Sequence, residues 1–586
     1  MKIAAELLVE RLVEWGVEVI FGLPGDGING VMEALRRHRE RIRFVLVHHE
    51  ESAAFMATGY AKTTGRLGVC LATSGPGGIH LLNGLYDAKL DHAPVLAITG
   101  MQSTAQLGTG YHQEVHLERL LDDVSEYNAM IQVPVSVPSL VDIAVRTAIA
   151  RRGVSHLTFP VDIQTADAEL DPFGGSTPVA RIPDTSAGFE PGRLVPAAGD
   201  LRRAADLLNR GRRVVILAGV GSLGAREEVG EVSDLLAAPI VKTLPAKAAV
   251  PDDHPNTTGG VGLLGTRPSQ EALEEADTLL MLGTDFPYTK YLPEEAKVVQ
   301  VDIEPLRIGN RIPVDVPLTG DVRSTVRALV PLLERKTERD FLAEAQDGMR
   351  SWREMLAKLE TPDRHPIQPQ YLARCIDRHA DSDAILAADS GTIASWAARH
   401  FDMRGDRRFL LCSNLASMAA GLPYTIAAQV ASPGRQCITL IGDGGFAMLM
   451  AEFLTAVRYG LPVKVFVVNN GGLGQIQWEQ MVLGYPEFGV RWERPARFAA
   501  WAEACGGLGL TVEDPAELDH SVAAALHDPR PALVDVVVNP NEPLMPPKVE
   551  YEQAKHFAEA FLKGQPRRAA IARSLFRDKL DQLKQD

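Results

Sequence analysis

The sequence of 586 residues has few cysteines, few aromatic residues and no long apolar run. Its five cysteines, at positions 70, 375, 412, 437 and 505, show no CxxC spacing. The scatter excludes a disulfide framework and a zinc-cysteine site, and it predicts buried free thiols in a reducing compartment. No uninterrupted apolar stretch approaches the roughly 20 residues that a membrane-spanning helix needs. We therefore expect a cytoplasmic globular protein.

Basic residues are also in deficit. Lys and Arg number 60 against 75 Asp and Glu, a formal net charge of −15. Nucleic acid requires a basic partner surface, so the charge argues against nucleic acid as a partner. The N-terminal segment MKIAAELLVERLVEWG carries charged residues within its apolar stretch. It predicts an amphipathic helix rather than a signal peptide.

Apolar strand-like runs alternate with amphipathic stretches in three blocks, the pattern of consecutive parallel-sheet α/β domains. We predict domains at 1–175, 190–340 and 360–550, followed by a C-terminal tail at 551–586. A stretch rich in Pro, Gly and Ser between Thr165 and Pro191 predicts a linker, and a charged helix is predicted from Leu333 to about Leu359. The buried-strand candidates are Val17–Phe21, Phe44–Val47, Leu67–Thr73, Ala93–Thr99, Arg213–Leu217, Thr278–Leu282, Val298–Ile303, Ala384–Ala388, Cys437–Ile441, Val463–Val468 and Ala532–Val538.

The most informative local pattern is the turn Gly442-Asp443-Gly444-Gly445 after a predicted strand, with Asn469-Asn470 at the end of the next strand. A carboxylate and an amide at the ends of adjacent strands can bind one hard cation through oxygen atoms. Glycines around Asp443 let a diphosphate approach backbone N–H groups. A GDG turn alone is also a common strand-to-helix connection. The paired asparagines favour the metal site.

This order of GDG, helix, strand and NN resembles the signature of the thiamine diphosphate enzymes. The segment Val47–Gly100 resembles the pyrimidine-binding domain of the pyruvate oxidase and acetolactate synthase group. The segments LGTDFPYTKYLPEEAKVVQVDIEP and LTGDVRSTVRALVPLL resemble the central FAD-binding domain of the quinone-dependent pyruvate dehydrogenase branch. The resemblance extends to about Phe557. It implies a diphosphate-binding third domain and thiamine diphosphate, Mg²⁺ and FAD as cofactors.

The resemblance also implies roles for single residues. Glu50 matches the glutamate that hydrogen-bonds the aminopyrimidine ring, although without the family it would be a solvated carboxylate at a helix start. Asp443 and Asn470 match the Mg²⁺ ligands, and Gly472 stands where a backbone carbonyl completes the shell. Met418 matches the residue that bends the cofactor, although methionine is ordinarily core filler. The further cofactor-binding positions are Gly25, Gly391, Thr392, Gly442, Gly444 and Gly445.

The expected substrate end favours the oxidase branch. Glu479 stands at the position of an active-site glutamate in pyruvate oxidases, where acetolactate synthases have tryptophan, and here Trp478 comes one place earlier. Ile476 is expected to form the apolar wall beside the reacting carbon, although a β-branched residue in an apolar strand is ordinarily packing. His80 agrees with the oxidase pattern and is expected beside the cofactor that carries the acetyl group.

One position departs from the family. Relatives have phenylalanine before Gln-Glu near the substrate, whereas this chain has His112 before Gln113. Both are expected at the active site. The imidazole of His112 has three open readings: it binds a carboxylate, relays a proton or packs as a neutral ring.

Strand ends in the central block predict the flavin site. Glycines permit close backbone approach, and a carboxylate after a strand suits a ribose hydroxyl. The candidates are Gly219, Gly221, Leu264, Thr284, Asp285, Asp302, Ile303, Asp321 and Val322.

The resemblance implies oxidative decarboxylation of pyruvate or a close 2-oxo acid to acetate and CO₂, with electrons passing to a quinone or O₂. Three alternatives remain open at the level of sequence. Phosphate as acyl acceptor would give acetyl phosphate, an acetolactate synthase would join two 2-oxo acids around a structural FAD, and a scaffold would carry no activity. The presence of Glu50, Asp443 and Asn470 together disfavours the scaffold.

The resemblance further implies a homodimer or homotetramer, because in this family Glu50 of one chain meets the Asp443 and Asn470 site of another. From Arg567 onward the tail carries more basic than acidic residues and predicts an amphipathic helix. Such a helix either contacts the inner face of the cell membrane peripherally or packs on the protein itself.

Overall fold

The computed structural model describes residues 2–168, 185–544, 546–547 and 551–583, the last stretch partly as backbone alone. Three six-stranded parallel sheets follow one another along the chain, each flanked by helices. This confirms the prediction of three α/β domains. Most of the predicted linker between Thr165 and Pro191 lies outside the described residues. Within the described part of the chain, no helix is long and apolar enough to cross a membrane.

The first sheet has the order β2-β1-β3-β4-β6-β5. Its strands are β1 (Val19–Gly22), β2 (Arg43–Leu46), β3 (Gly68–Ala72), β4 (Val95–Met101), β5 (Ser125–Met130) and β6 (Val154–Pro160). Its helices are α1 (Ala4–Glu14), α2 (Asn29–Arg37), α3 (Glu50–Thr64), α4 (Pro76–His80), α5 (Leu82–Leu90), α6 (Leu117–Leu120), α7 (Val137–Arg151) and α8 (Val161–Thr165). The predicted N-terminal helix is confirmed as α1, which buries Leu8 and Leu12.

The central sheet has the order β12-β11-β10-β7-β8-β9. Its strands are β7 (Val214–Ala218), β8 (Ile240–Lys242), β9 (Thr257–Gly260), β10 (Thr278–Leu282), β11 (Lys297–Asp302) and β12 (Val316–Thr319). Its helices are α9 (Ala198–Arg210), α10 (Arg226–Leu236), α11 (Arg267–Glu274) and α12 (Val322–Leu329), and α13 (Asp340–Leu359) leads to the third domain.

The third sheet has the order β14-β13-β15-β16-β18-β17. Its strands are β13 (Ile385–Ala388), β14 (Arg408–Leu410), β15 (Cys437–Gly442), β16 (Lys464–Asn469), β17 (Leu508–Val512) and β18 (Ala532–Val537). Its helices are α14 (Pro369–His379), α15 (Thr392–His400), α16 (Gly421–Ala431), α17 (Asp443–Leu449), α18 (Glu452–Arg458), α19 (Gly474–Val482), α20 (Phe498–Cys505) and α21 (Pro515–His527); the tail adds α22 (Tyr551–Leu562) and α23 (Arg568–Leu583).

Each predicted strand corresponds to an observed one, with ends that differ by a residue or two. The predicted helix from Leu333 is wrong over its first turns, because α13 begins only at Asp340. In the segment before α13, backbone N–H groups donate to distant residues of the central domain and not to carbonyls of a helix. The N–H of Glu334 donates to Asn209 Oδ1 at 2.9 Å, and that of Lys336 donates to the carbonyl of Leu235 at 2.8 Å.

The first and third sheets have the same strand order when each is counted from its own first strand. They also share one hydrophobic core. Side chains from β1, β3 and β4 and side chains from β15, β16 and α16 belong to the same buried cluster. Helix α3 packs on α16, where a Cβ on Gly59 would lie 2.8 Å from the Tyr424 ring. The two domains therefore fold as one packed unit.

In each sheet the chain first adds strands on one side of its first strand and then changes to the other side, and parallel sheets bind ligands beside that reversal point. The point lies between β1 and β3 in the first sheet, between β7 and β10 in the central one and between β13 and β15 in the third. Part of each predicted site follows these strands: Gly25 and His80, Gly219 and Thr284, and Gly391 and Asp443.

The tail helices pack on the third domain. Ile571 of α23 is buried beside Trp478, Met481 and Ala560, and Lys563 donates a hydrogen bond to the carbonyl of Gly484 at 3.0 Å. Apolar side chains in the described part of the tail are thus buried against the third domain. Contact of the tail with a membrane stays a prediction.

A buried ion cluster joins the central and third domains. The Asp252 carboxylate accepts hydrogen bonds from Lys242 Nζ at 2.6 Å, Lys247 Nζ at 2.9 Å and the N–H of Met403 at 2.7 Å. Lys247 also donates to the carbonyl of Ala398 at 2.9 Å. Burial acts to raise the pKa of Asp252, but the two ammonium groups outweigh it and hold that pKa well below its usual range.

We predict that Asp252→Asn lowers the free energy of unfolding by about 3–5 kcal/mol, because it leaves two lysine charges buried without their counter-ion. Urea denaturation at pH 7 measures this. Because the folded-state pKa is depressed, the contribution is present above the unfolded-state pKa of about 3.9 and is lost as the pH falls below it. The variant should therefore lose less stability than the wild type in acid.

The matched control is Asp200→Asn, which removes a carboxylate paired with Arg203 on the surface of α9. It should change the unfolding free energy by no more than about 0.5 kcal/mol. Equal stability of the two variants would contradict the role given to Asp252.

Candidate active site

Glu50 is the first residue of α3 and its side chain is buried. His49 caps the helix, and its Nδ1 accepts the N–H of Glu51 at 3.2 Å. The carboxylate of Glu50 forms a hydrogen bond with His80, with 2.9 Å between Oε2 and Nδ1. A carboxyl group at a helix start with one oxygen fixed by a histidine is held in one orientation. Two of the sequence-predicted residues, Glu50 and His80, are thus in direct contact.

The start of α3 is held by the third domain. The backbone N–H groups of His48 and His49 donate to Glu452 Oε1 at 2.9 and 3.2 Å. Thr455 donates to the other oxygen of this fully buried carboxylate at 2.7 Å. Two backbone amides and a hydroxyl bind one buried carboxylate, which fixes the position of Glu50 from outside its own domain.

The loops after β1 and β3 close on Glu50 at the reversal point of the first sheet. A Cβ on Gly25 would lie 2.5 Å from Thr73 Cβ, and one on Gly77 would lie 3.4 Å from Glu50 Oε1. Gly75 has φ 58°, and the backbone of Gln113 lies against it. Gln113 itself has φ 60°, an uncommon conformation for a residue with a side chain.

His112 is exposed on the loop beside Gln113. The reading in which its ring packs as a neutral core residue does not match the structure of the single chain. Its neighbour Tyr111 is also exposed. Binding of a carboxylate and proton relay stay open for His112.

Asp443 lies at the other predicted site, at the start of α17 after β15. Its Oδ1 accepts the N–H of Gly444 at 3.0 Å, and its Oδ2 accepts Trp492 Nε1–H at 3.0 Å. Burial raises the pKa of Asp443 to about 6, and the hydrogen bonds offset only part of that rise. These donors are neutral, and the charged group that interacts with Asp443 is the guanidinium of Arg491, which acts through space and not through a hydrogen bond.

Asn470 and Gly472 lie beside Asp443 after the adjacent strand β16. Asn470 Oδ1 accepts the N–H of Gly472 at 3.1 Å, and the N–H groups of Gly471 and Gly472 interact with Asp443. Gly472 has no room for a side chain, because a Cβ would lie 2.2 Å from the carbonyl oxygen of Val490. A buried carboxylate beside an amide oxygen and a crowded glycine fits a hard cation with oxygen ligands.

Met418 approaches this turn from the loop before α16. Its Cε would lie 3.3 Å from a Cβ on Gly444. Ala416 and Ala419 on either side of it have φ 54° and 74°, so two non-glycine residues hold the loop in a strained conformation. Gly445 is required for packing, since its Cβ would lie 2.0 Å from Asp389 Oδ2.

Ile476 and Glu479 lie on helix α19 and both are exposed. Ile476 lies on a helix, because α19 starts at Gly474 after the turn at Gly471 and Gly472 that follows β16. Gln475 donates to Glu479 Oε1 at 2.9 Å. The helix start lies close to Gly391 and Thr392, so these residues border the Asp443 site.

The predicted flavin residues surround the reversal point of the central sheet. Gly219 and Gly221 cross the turn at Gly283, where a Cβ on either would lie within 2.7 Å of that backbone. Packing within the protein therefore requires glycine at both positions, whether or not a flavin approaches them. Asp302 at the end of β11 is buried, which raises its pKa. Exposed apolar side chains ring this edge and suit a flat, largely apolar ring system: Val220, Leu263, Tyr288, Ile303 and Leu306.

Several predicted flavin residues have partners within the protein. Asp285 pairs with Arg307 at 3.2 Å, and Asp321 caps α12 by accepting the N–H of Ser324 at 2.8 Å. Leu264 and Val322 pack in hydrophobic clusters. Thr284 Oγ1 accepts the N–H of Phe286 at 3.2 Å. Contacts within the protein are thus enough to explain why these residue types occur at these positions. A contact of any of them with FAD stays a prediction.

The chain matches three family models in order. They are described as thiamine pyrophosphate enzyme, N-terminal TPP binding domain, at 2–121; central domain, at 201–329; and C-terminal TPP binding domain, at 389–536. The chain is 42% identical to the putative thiamine pyrophosphate-containing protein YdaP of Bacillus subtilis over 96% of both chains. The chain belongs to the thiamine pyrophosphate enzymes.

Two other relatives of this thiamine pyrophosphate enzyme have different names. The chain is 32% identical to pyruvate oxidase of Lactiplantibacillus plantarum, over 95% of this chain and 93% of the relative. It is 31% identical to a probable acetolactate synthase large subunit of Methanocaldococcus jannaschii, over 93% of each. Similarity to the two is almost equal, so identity alone does not choose between an oxidase and a synthase.

Sequence reasoning missed three residues of this thiamine pyrophosphate enzyme's candidate site. Asp389 follows β13 directly and is buried with a pKa raised to about 6 by burial; the strand-end rule used for Asp443 would have found it. His49, whose ring stacks on that of His80 at 4.5 Å, directly precedes Glu50 in the segment Val47–Gly100. Trp492 belongs to no local motif, because a loop pairing of Gly472 with Arg491 brings it to Asp443.

We predict that Asp443→Ala weakens Mg²⁺ and thiamine diphosphate binding together, by a factor of at least about 100, because the cation joins protein and diphosphate. Calorimetric titrations with Mg²⁺ and then with cofactor measure both. Asp519→Ala, which removes a surface carboxylate of the same domain, is the control and should bind normally. Retention of cofactor by Asp443→Ala in metal-free buffer would contradict the placement.

Proposed function

We propose that this enzyme oxidatively decarboxylates pyruvate or a close 2-oxo acid and passes two electrons through FAD to a quinone or O₂. Pyruvate and water give acetate, CO₂, two protons and two electrons. Glu479 carries the proposal: it is exposed on α19, the helix whose start lies beside Asn470, and the resemblance places the oxidase glutamate at this position, where a synthase would have tryptophan. The apolar ring of exposed side chains around the central sheet supports FAD.

The residues described above suit three cofactors. Asp443 and Asn470 side chains with the Gly472 carbonyl would hold Mg²⁺, and Glu50 would face the aminopyrimidine ring. Met418 would support the bend of the cofactor. When bound, thiamine diphosphate supplies the nucleophilic carbon and the electron sink for decarboxylation, while FAD accepts the electrons.

The chain's own groups control the proton at the pyrimidine. His80 occupies one oxygen of Glu50, so the other oxygen, Oε1, is left to accept or give a proton. Burial of Glu50 excludes water from that oxygen, and the bonds from Glu452 to the start of α3 stop the helix from withdrawing. A positioned carboxyl group of this kind acts as a general acid and base.

At the substrate end, Ile476 and Glu479 lie one helical turn apart on one face of α19. Ile476 would exclude water from the reacting carbon, and Glu479 would hold or move a proton beside it. Gln475 fixes one oxygen of Glu479. His112 and Gln113 would approach from the loop of the first domain.

A second copy of the chain is expected to complete the site. Glu50 and Asp443 lie beyond the carboxyl ends of strands in two different sheets. Apolar side chains near each residue are exposed in the single chain. Ile79 and Tyr111 are exposed near the glutamate end, and Met448 and Phe488 near the diphosphate end. Exposed apolar patches of this kind mark subunit interfaces. A homodimer would cover them and bring Glu50 of one chain to Asp443 of the other.

Anaerobic mixing of the holoenzyme with pyruvate tests the proposed reaction. We predict that the flavin absorbance bleaches within one turnover and returns on addition of quinone or O₂, with acetate as product. A panel of other 2-oxo acids reports the substrate range. Formation of acetolactate with the flavin still oxidised would contradict the proposal and favour the synthase.

Glu50→Gln is predicted to fold normally and to lower turnover at least about 100-fold, the scale of a lost general acid and base. Hybrid dimers then test site sharing. Refolding inactive Glu50→Gln together with inactive Asp443→Ala should restore part of the activity, since one site of each hybrid contains both intact residues. Hybrids that form but stay inactive would contradict a shared site.

A further inference from the structure

A cluster of two histidines and a glutamate lies at the start of α3 and extends to α4. Ligand atoms of His49, Glu50 and His80 all lie within 4.8 Å of one another. The Glu50–His80 pair is already at 2.9 Å, and the two imidazole rings stack at 4.5 Å between centroids. Two imidazoles and one carboxylate form a donor set that suits Zn²⁺ and related transition-metal ions rather than Mg²⁺.

A second carboxylate lies beside His49. Glu51 Oε2 is 3.9 Å from His49 Nδ1, which accepts the N–H of Glu51 at 3.2 Å, so this carboxylate adds negative charge beside the cluster without a hydrogen bond to the ring. Asn83 Nδ2 donates to the other oxygen of Glu51 at 2.6 Å and to Ser417 of the third domain at 2.9 Å, which fixes the position of the carboxylate.

Metal binding requires a local rearrangement of the three side chains. Ligands bound at about 2.1 Å in a tetrahedron lie about 3.4 Å apart, so Glu50 and His80 part slightly and His49 moves inward by about 1–1.5 Å. The stacked rings, inclined by 27°, must also turn so that one nitrogen of each faces the ion. The side chains of His49 and His80 are 40% and 43% exposed in the chain, so both can turn and an ion has access to them.

We propose that His49, Glu50 and His80 form a second metal site, which binds Zn²⁺ or a similar transition-metal ion when the pyrimidine of the cofactor is absent. The site is distinct from the Mg²⁺ ligands Asp443 and Asn470. That the metal ion and the cofactor exclude each other rests on the proposed function, in which the Glu50–His80 hydrogen bond directs Oε1 of Glu50 to the aminopyrimidine; an ion between these two side chains breaks that hydrogen bond. Transition-metal binding would then block cofactor loading.

Co²⁺ reports the site by its spectrum. The full-length protein is titrated in excess Mg²⁺, which keeps Co²⁺ from the Asp443 site. Co²⁺ held by two imidazoles and a carboxylate in four-coordinate geometry absorbs strongly in the visible, whereas six-coordinate oxygen ligation absorbs weakly. We expect one strongly absorbing Co²⁺ per chain, displaced by one Zn²⁺.

Variants locate the ion. His49→Gln should weaken binding at least 10-fold and remove the strong band, and Glu51→Gln should weaken binding by less than His49→Gln and keep the band, because it removes a nearby charge and not a ligand. His527→Gln, which changes an exposed histidine on α21, should titrate like the wild type. An unchanged titration of His49→Gln, or the absence of a strong band in the wild type, would overturn the proposal.

A Co²⁺ titration in the presence of thiamine diphosphate tests the metal site independently of the proposed function. Cofactor at 100 times its Kd should raise the apparent Kd for Co²⁺ about 100-fold. A band that needs His49 yet does not respond to the cofactor would support the metal site and contradict the contact between Glu50 and the pyrimidine.

Discussion

The candidate cofactor sites of this protein depend on one constraint, the position of the reversal point in each parallel sheet. Where the chain stops adding strands on one side and starts on the other, two adjacent loops diverge and leave a crevice. Those loops carry Gly25 and Gly75 in the first sheet, Gly219 and Gly283 in the central one, and Gly391 and Asp443 in the third. In all three sheets the crevice therefore comes from topology, and the side chains only decide what it holds.

Helix α3 links the candidate sites of the first and third domains, because it packs against both domains. Its body is buried between the first and third domains, where Lys62 Nζ binds Asp87 at 3.0 Å, Asp91 at 2.7 Å and the Tyr424 hydroxyl at 2.7 Å. Its start is fixed by the buried Glu452 of α18. A shared core leaves no freedom to move Glu50 without moving the third domain. Catalytic geometry at Glu50 is thus a property of two domains.

Much of this architecture could be predicted from the sequence, because short buried strands followed by glycine turns are a local signal. The GDG and NN turns were found for that reason, whereas Glu50 and His80 were assigned through the resemblance to the family. Trp492 was missed because only the pairing of two distant loops brings it to Asp443. Strands such as β5, with the polar sequence SEYNAM, follow no apolar pattern and take their conformation from the neighbouring strand β6.

The central claim is that one cofactor spans Glu50 and the Asp443 turn, and a crystal structure of the protein with thiamine diphosphate and Mg²⁺ tests it most directly. The account predicts the cation on Asp443, Asn470 and the Gly472 carbonyl, with the aminopyrimidine within hydrogen-bond distance of Glu50 from a second copy of the chain. A cofactor whose pyrimidine does not contact Glu50 of either copy, or a cation bound away from Asp443, would contradict it.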